Sequence, residues 1–235
     1  MKIPNLFNNN EQSVSLANLL IVGNSGSGRF NFINRYLSDL VRAYSPEKLR
    51  IILVDPKNYL FSDYSDLPHL MFGIIGREDK FYKIVNYLNQ EIDKRLNNES
   101  SEAGAIVLII DEIADFIINS IEKRELLEKV FKKITTSSDK TNIHVIFSTT
   151  RIDKTILTNN FLQCFEWRVA FRVDNKEQSV LIINESGAEE LSLPGTCILK
   201  DMETQKSNII KIPFISDEEI KYNKLETVSD GNISK

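Results

Sequence analysis

Apolar residues recur along this chain in two alternating rhythms. Leu19 to Val22, Ile51 to Val54, Ile106 to Ile110 and, but for His144, Ile143 to Phe147 are short continuous runs. Runs of that length, rich in branched aliphatics, fit strands buried on both faces. Between them, apolar positions fall three and four apart, the spacing of one helix face. One such stripe is Phe30, Ile33, Leu37, Leu40, Val41 and Tyr44, stopped by Ser45-Pro46. A second is Phe81, Ile84, Val85, Leu88, Ile92 and Leu96; a third is Leu126, Leu127, Val130, Phe131 and Ile134. Trp167 to Val173 reads as a fifth strand. Thr196 to Lys200 and Asn208 to Ile212 flank a polar turn and read as a closing hairpin. Strands alternating with helices predict parallel strands joined by helical crossovers, so the fold class is α/β with a mainly parallel sheet.

Polar stretches bound this pattern. Residues 1–15 read as a leader and 221–235 as a tail, leaving 16–220 for a single domain. The longest apolar run, Ala105 to Ile110, is far short of the ~20 residues of a membrane helix. No apolar signal core follows Met1, so a cytoplasmic protein without direct membrane insertion is expected. With 235 residues, 42% hydrophobic, and a net charge of -4, the chain has material for one sizeable core and is not a disordered polymer. The acidic balance excludes a surface that is basic all over, though not a local basic groove. Two cysteines, Cys164 and Cys197, are too few for a disulfide framework or a zinc site and are expected as buried thiols.

Chemistry concentrates at the strand ends. Gly23-Asn24-Ser25-Gly26-Ser27-Gly28 follows the first strand and opens the first helix. Glycines there let the backbone wrap an anion, and the helix N-terminus points free N–H groups at it. The phosphate-loop pattern G-x-x-x-x-G-K-[ST] ends here in Arg29 and Phe30. Arginine keeps the charge in a longer, planar form, whereas phenylalanine has no atom for a metal. The third strand runs into Asp111-Glu112, acids suited to holding a hydrated metal and orienting an attacking water. The fourth ends in Ser148-Thr149-Thr150-Arg151, where a polar group senses a γ-phosphate or simply makes a turn.

Other candidates read as structural. Lys123, Arg124, Lys129, Lys132 and Lys133 share one helix with Glu122, Glu125 and Glu128, a solvated face paired at i,i+4. His69 and His144 lack metal-ligand spacing. Trp167 and Phe171 alternate with Arg168 and Arg172, so the aromatics are expected in the core and the arginines toward a loop or a neighbouring subunit.

In order, these segments resemble the motor domain of the FtsK/SpoIIIE family of DNA-pumping ATPases. LLIVGNSGSGR (from Leu19) is similar to its phosphate-loop strand and SPEKLRIILVDPK (from Ser45) to its second strand. LPHL (from Leu67), LIIDEIADF (from Leu108), NIHVIFSTTR (from Asn142), WRVAFRV (from Trp167), SGAEEL (from Ser186) and SDEEI (from Ser216) follow as in the family. The resemblance implies a RecA-like, three-layer P-loop NTPase fold. It implies that Gly23, Asn24, Ser25, Gly26, Ser27, Gly28 and Arg29 cradle the phosphates of ATP, with Thr150 beside them. Asp111 would hold Mg²⁺ through water and Glu112 would activate the attacking water. Implied partners are double-stranded DNA, bound without sequence preference, and a ring built with further copies or with an intact FtsK-like motor.

The departures are equally informative. Active family motors carry Lys and Ser/Thr at positions 29 and 30, and Gln at 150. Ser137 to Thr141 offers Lys140 where the family has an arginine, and Gln178-Ser179-Val180 stands where the family reads DSR. Mg²⁺ dependence is therefore expected to be weak or absent and hydrolysis weak or lost. A non-catalytic structural or regulatory subunit, docked on an intact motor of a conjugation machine or a type VII secretion ATPase, is the alternative.

Overall fold

The computed structural model describes residues 15–97, 103–117 and 120–220. The leader and tail expected at 1–15 and 221–235 lie, but for Ser15, outside them. The elements run in the order β1 (Leu19–Val22), α1 (Arg29–Ala43), β2 (Leu49–Val54), α2 (Glu78–Leu96), β3 (Ala105–Asp111), α3 (Ala114–Ile117) and α4 (Ile121–Thr141). Then come β4 (Ile143–Thr149), α5 (Asn159–Leu162), β5 (Trp167–Ala170), α6 (Lys176–Ile183), β6 (Thr196–Asp201) and β7 (Ser207–Lys211).

The strands form one seven-stranded sheet in the order β2-β3-β4-β1-β5-β6-β7. The first five are parallel, and β6 and β7 add an antiparallel hairpin beside β5. Because side chains alternate across a strand, the strands feed two cores, one on each face of the sheet. Leu20, Val22, Ile52, Val54, Ile106, Leu108, Val145 and Phe147 face α2 and α4, which contribute Phe81, Val85, Leu88, Val130, Phe131 and Ile134. Leu19, Ile21, Ile51, Leu53, Val107 and Ile109 face α1, which contributes Phe32, Ile33, Tyr36, Leu37 and Leu40. Helices on both faces of a parallel sheet make the expected three layers.

Local chemistry sets the boundaries. Tyr44 takes an extended conformation just before Ser45-Pro46 and ends α1. Ser120 caps α4 by accepting the Lys123 N–H, and Asn142 closes it in the left-handed region. The fifth strand stops at Ala170, short of the expected Val173, because its partner β1 ends at Val22. Phe171 still donates to the Val22 carbonyl, but the Arg172 carbonyl already serves the phosphate loop. Helix α6, absent from the sequence reading, is capped by Asn175, whose side chain accepts the Gln178 N–H. Arg168 is a second correction. Rather than facing a neighbour it is buried, donating to the carbonyls of Leu162, Phe165 and Ile182. Burial brings its guanidinium down to about 10.

Two basic residues of α4 pair with α2, and Arg124 donates to the Thr155 carbonyl. Lys123 meets Glu78 and covers the Tyr82 ring; Lys133 meets Asp93 and Asn89. Both cysteines are free and buried, and burial raises the Cys164 thiol to about 11. His69 is fully buried against the Tyr44 carbonyl.

Candidate functional site

The strands β1, β3 and β4 deliver their C-terminal ends to one edge of the sheet, where parallel sheets place their ligand crevices. After β1 the chain turns through Gly23 to Gly28 and enters α1. The turn is held by backbone: Asn24 N–H donates to Arg172 O (2.9 Å), Ser27 N–H to Asn24 O (3.2 Å) and Gly195 N–H to Ser27 O (2.9 Å). Two glycines are required sterically. A Cβ on Gly23 would lie 2.4 Å from Phe171 Cβ. Gly28 has φ +106 and a Cβ there would lie 2.4 Å from Gly195 N. No side chain caps α1, so the first N–H groups of the helix point from the loop without an intrahelical partner.

Loop and strand ends enclose a cleft of about 510 Å³ lined by Asn24, Ser25, Gly26, Gly28, Arg29, Asp111, Glu112 and Thr150, together with Asp55, Lys57 and Tyr59. It thus gathers most residues singled out in the sequence. Gly23 and Ser27 do not line it: Gly23 packs on Phe171, and Ser27 borders a hollow on the other side of the loop. Lys57 and Tyr59 belong to no phosphate-loop motif, and Asp55-Pro56-Lys57 at the end of a parallel strand is the positional signal for them. Asp55 itself is structural, its Oδ2 accepting the N–H groups of Tyr59 (2.7 Å), Leu60 (2.7 Å) and Phe61 (3.3 Å).

The Arg29 side chain is turned onto the acids. Its Nη1 donates to Asp111 Oδ1 and to Ser148 Oγ, and Nη2 lies 3.1 Å from Glu112 Oε1. The two carboxylates are mostly buried, with side-chain exposures of 11% and 5%. Burial lifts the Asp111 carboxyl above its usual range, and the Arg29 and Ser148 contacts offset this only in part. Glu112 adopts a left-handed backbone (φ 55), rare for a residue with a side chain and a mark of local strain. Its N–H donates to Ser148 O (3.0 Å). Its carboxylate accepts from the Thr150 N–H and, at 3.3 Å, from Thr149 Oγ1. Thr150 therefore reaches the site through its backbone.

A divalent ion does not fit the residues present. The position after Arg29 is Phe30, which leans on Tyr59 with ring centroids 5.9 Å apart. Asp111 and Ser148 are already occupied by the guanidinium. Among the described residues no group of three or more His, Cys, Asp or Glu side chains is arranged to hold a metal. Nor, among them, is any helix long and apolar enough to cross a membrane.

Solved structures share this fold. The pCW3 conjugation coupling protein TcpA, with ATPγS, superposes with a TM-score of 0.78 at 20% identity, covering 92% of this chain and 65% of that one. The cytoplasmic domain of the type VII secretion ATPase EccC of Thermomonospora curvata gives 0.74 at 16% identity, covering 94% and 32%. In sequence, the DNA translocase FtsK of Leptospira interrogans is 31% identical over 229 residues, covering 88% of this chain and 24% of the relative. The chain thus spans about a quarter of the length of that curated relative. Residues 4–101 match the family model described as the FtsK/SpoIIIE family. The glycine loop, the strand-end acids and the mainly parallel sheet agree with these matches, and over residues 4–101 the chain is similar to the FtsK/SpoIIIE family.

Proposed function

We propose that residues 16–220 form an ATP-binding FtsK/SpoIIIE-type domain that serves DNA translocation or transfer, with hydrolysis weak or lost. One observation carries this reading: the uncapped N-terminus of α1 and the glycine loop open into the same 510 Å³ cleft as Asp111, Glu112 and Thr150. Uncapped N–H groups at a helix start bind phosphate by charge and by hydrogen bonds. Asn24, Ser25, Gly26 and Gly28 supply the cradle, Lys57 adds a cation to the cleft wall, and Glu112 is the group able to take a proton from water.

The pairing of Arg29 with both acids favours the second reading, a subunit that does not turn over ATP. A base tied to a guanidinium and two further donors is poorly placed to accept a proton. Such a subunit would join a ring of copies or dock onto an intact motor, of the kind named among its relatives, and act on double-stranded DNA or a secretion substrate. Displacement of a fluorescent ATP analogue by unlabelled ATP tests binding, and steady-state phosphate release tests turnover. Displacement without release is the expected result. No displacement at millimolar ATP would overturn the nucleotide reading, and robust release would overturn the non-catalytic one.

A further inference from the structure

Arg29 begins in the phosphate loop and ends between two strand tips. Its guanidinium is bound by one carboxylate and one hydroxyl through Nη1 and by a second carboxylate through Nη2. The side chain is only 12% exposed, so solvent screens these contacts weakly. In phosphate-loop domains generally, the space between the loop and the strand-end acid belongs to a divalent cation, whose loop ligand is a hydroxyl. Here that hydroxyl is missing and Phe30 turns outward, 42% exposed.

We propose that Arg29 is the resident cation of this site. The guanidinium places one positive charge where a divalent metal would otherwise sit, so a nucleoside triphosphate binds without metal. It also withholds Asp111 and Glu112 from any added ion. A planar fork suits this role, because one arginine satisfies acceptors on two strands at once, which a lysine cannot do. Its Nε–H is buried and has no acceptor in the protein, leaving a donor of the same cation unused. The inference rests on the nucleotide-binding reading and adds to it the identity of the counter-charge.

Two measurements decide it. Calorimetric titration with ATP, in Mg²⁺ and again in excess chelator, should give wild-type affinities within about threefold of each other. In Arg29→Ala, chelation should cost at least about tenfold, the worth of one hydrogen bond to a charged group. Titration with Mn²⁺ alone, followed by electron paramagnetic resonance, should show a bound-ion population in Arg29→Ala that wild type lacks. Arg29→Gln, a shorter polar side chain without charge, replaces the alanine variant if circular dichroism shows that variant unfolded. A tenfold loss of wild-type affinity on chelation, or equal Mn²⁺ occupancy in wild type and variant at any level, would overturn the proposal. Failure of ATP to bind in every condition would sink the nucleotide reading alone, because the Mn²⁺ comparison needs no nucleotide.

Discussion

Gly28 and Gly195 sit so close that a Cβ on Gly28 would lie 2.4 Å from the Gly195 nitrogen and 2.6 Å from its Cα. The Gly195 N–H donates to the neighbouring Ser27 carbonyl at 2.9 Å. The turn leading into β6 is thus locked to the tip of the phosphate loop. Residues 167 apart in sequence meet at the anion-binding turn, so the hairpin that closes the sheet also braces the cleft.

From this contact, Gly28→Ala is expected to cost about 1–3 kcal/mol, because the added methyl group needs both a left-handed backbone and space that Gly195 occupies. Gly73→Ala is the control: a Cβ there meets nothing within 4 Å. That substitution should stay within about 0.5 kcal/mol of wild type. Urea unfolding of the two variants measures the difference. Equal stabilities would show that the two turns are not locked.

Much of this arrangement was legible in the sequence because strong, local signals agreed. The unbroken run Leu19 to Val22 before a glycine loop, and Val107 to Ile110 before Asp111-Glu112, gave strand, end and chemistry together. The alternation of strands with helical stripes gave the parallel sheet. Helix α6 was hidden because Val180-Leu181-Ile182-Ile183 is a continuous apolar run without helical spacing. Its cap, Asn175 three residues before Gln178, was the available signal. Arg168 alternates with Trp167 and Val169 as a polar strand position should, yet it points into the protein. Only the fold brings it to the carbonyls at the ends of α5 and α6, where the helix dipoles favour a cation. The direction of Arg29 was equally out of reach. Its sequence position lies in the phosphate cradle, but a side chain of that length reaches either the phosphate space or the strand ends, and Ser148 and the two acids draw it to the latter.

Stability should depend on pH through His144. This ring is 8% exposed, and burial lowers it to about 4 from 6.5, with Asp139 pulling the other way. The folded protein therefore resists a proton that the unfolded chain accepts between those values. The unfolded state binds more protons there, so stability rises with pH across the window and is lost as pH falls from about 6.5 toward 4. The full effect is on the order of 3 kcal/mol. Unfolding free energies measured across this range for wild type and His144→Gln isolate the contribution, since every other titratable group is common to both. The wild-type curve should be steeper. Parallel curves would show that the ring is protonated with equal ease in both states.

DNA binding by this domain is expected to be insensitive to sequence and sensitive to salt. Contacts to phosphates release condensed counterions, and each neutralised phosphate adds about -0.9 to the slope of log affinity against log salt. Filter binding on unrelated duplexes at several salt concentrations should give overlapping lines with a slope of about -3 or steeper, corresponding to three or more phosphate contacts. A marked preference for one duplex would mean that base edges are read. A flat salt response would mean that the domain does not hold the DNA backbone.

The last expectation concerns restoring turnover. Arg29→Lys with Phe30→Ser returns the two phosphate-loop positions to the pattern of active family motors. It also changes the cleft physically: lysine is a compact point charge that cannot span Asp111, Ser148 and Glu112 together, so the acids are released, and serine brings the missing hydroxyl. Mg²⁺-dependent phosphate release should therefore rise above wild type, with Glu112→Gln added to the double variant as the control. The rescue should be partial. Asp139 lies on α4 beside the hollow that contains His144, Val180 is 43% exposed on α6, and neither stretch offers the arginine that family motors carry. An arginine supplied by a neighbouring subunit is worth ~10³-fold or more in phosphoryl transfer. Release no greater than in the Glu112→Gln control would place the loss of catalysis across the whole domain and leave the subunit that docks on an intact motor as the surviving reading. Release at the rate of an intact motor would place the block at positions 29 and 30 alone.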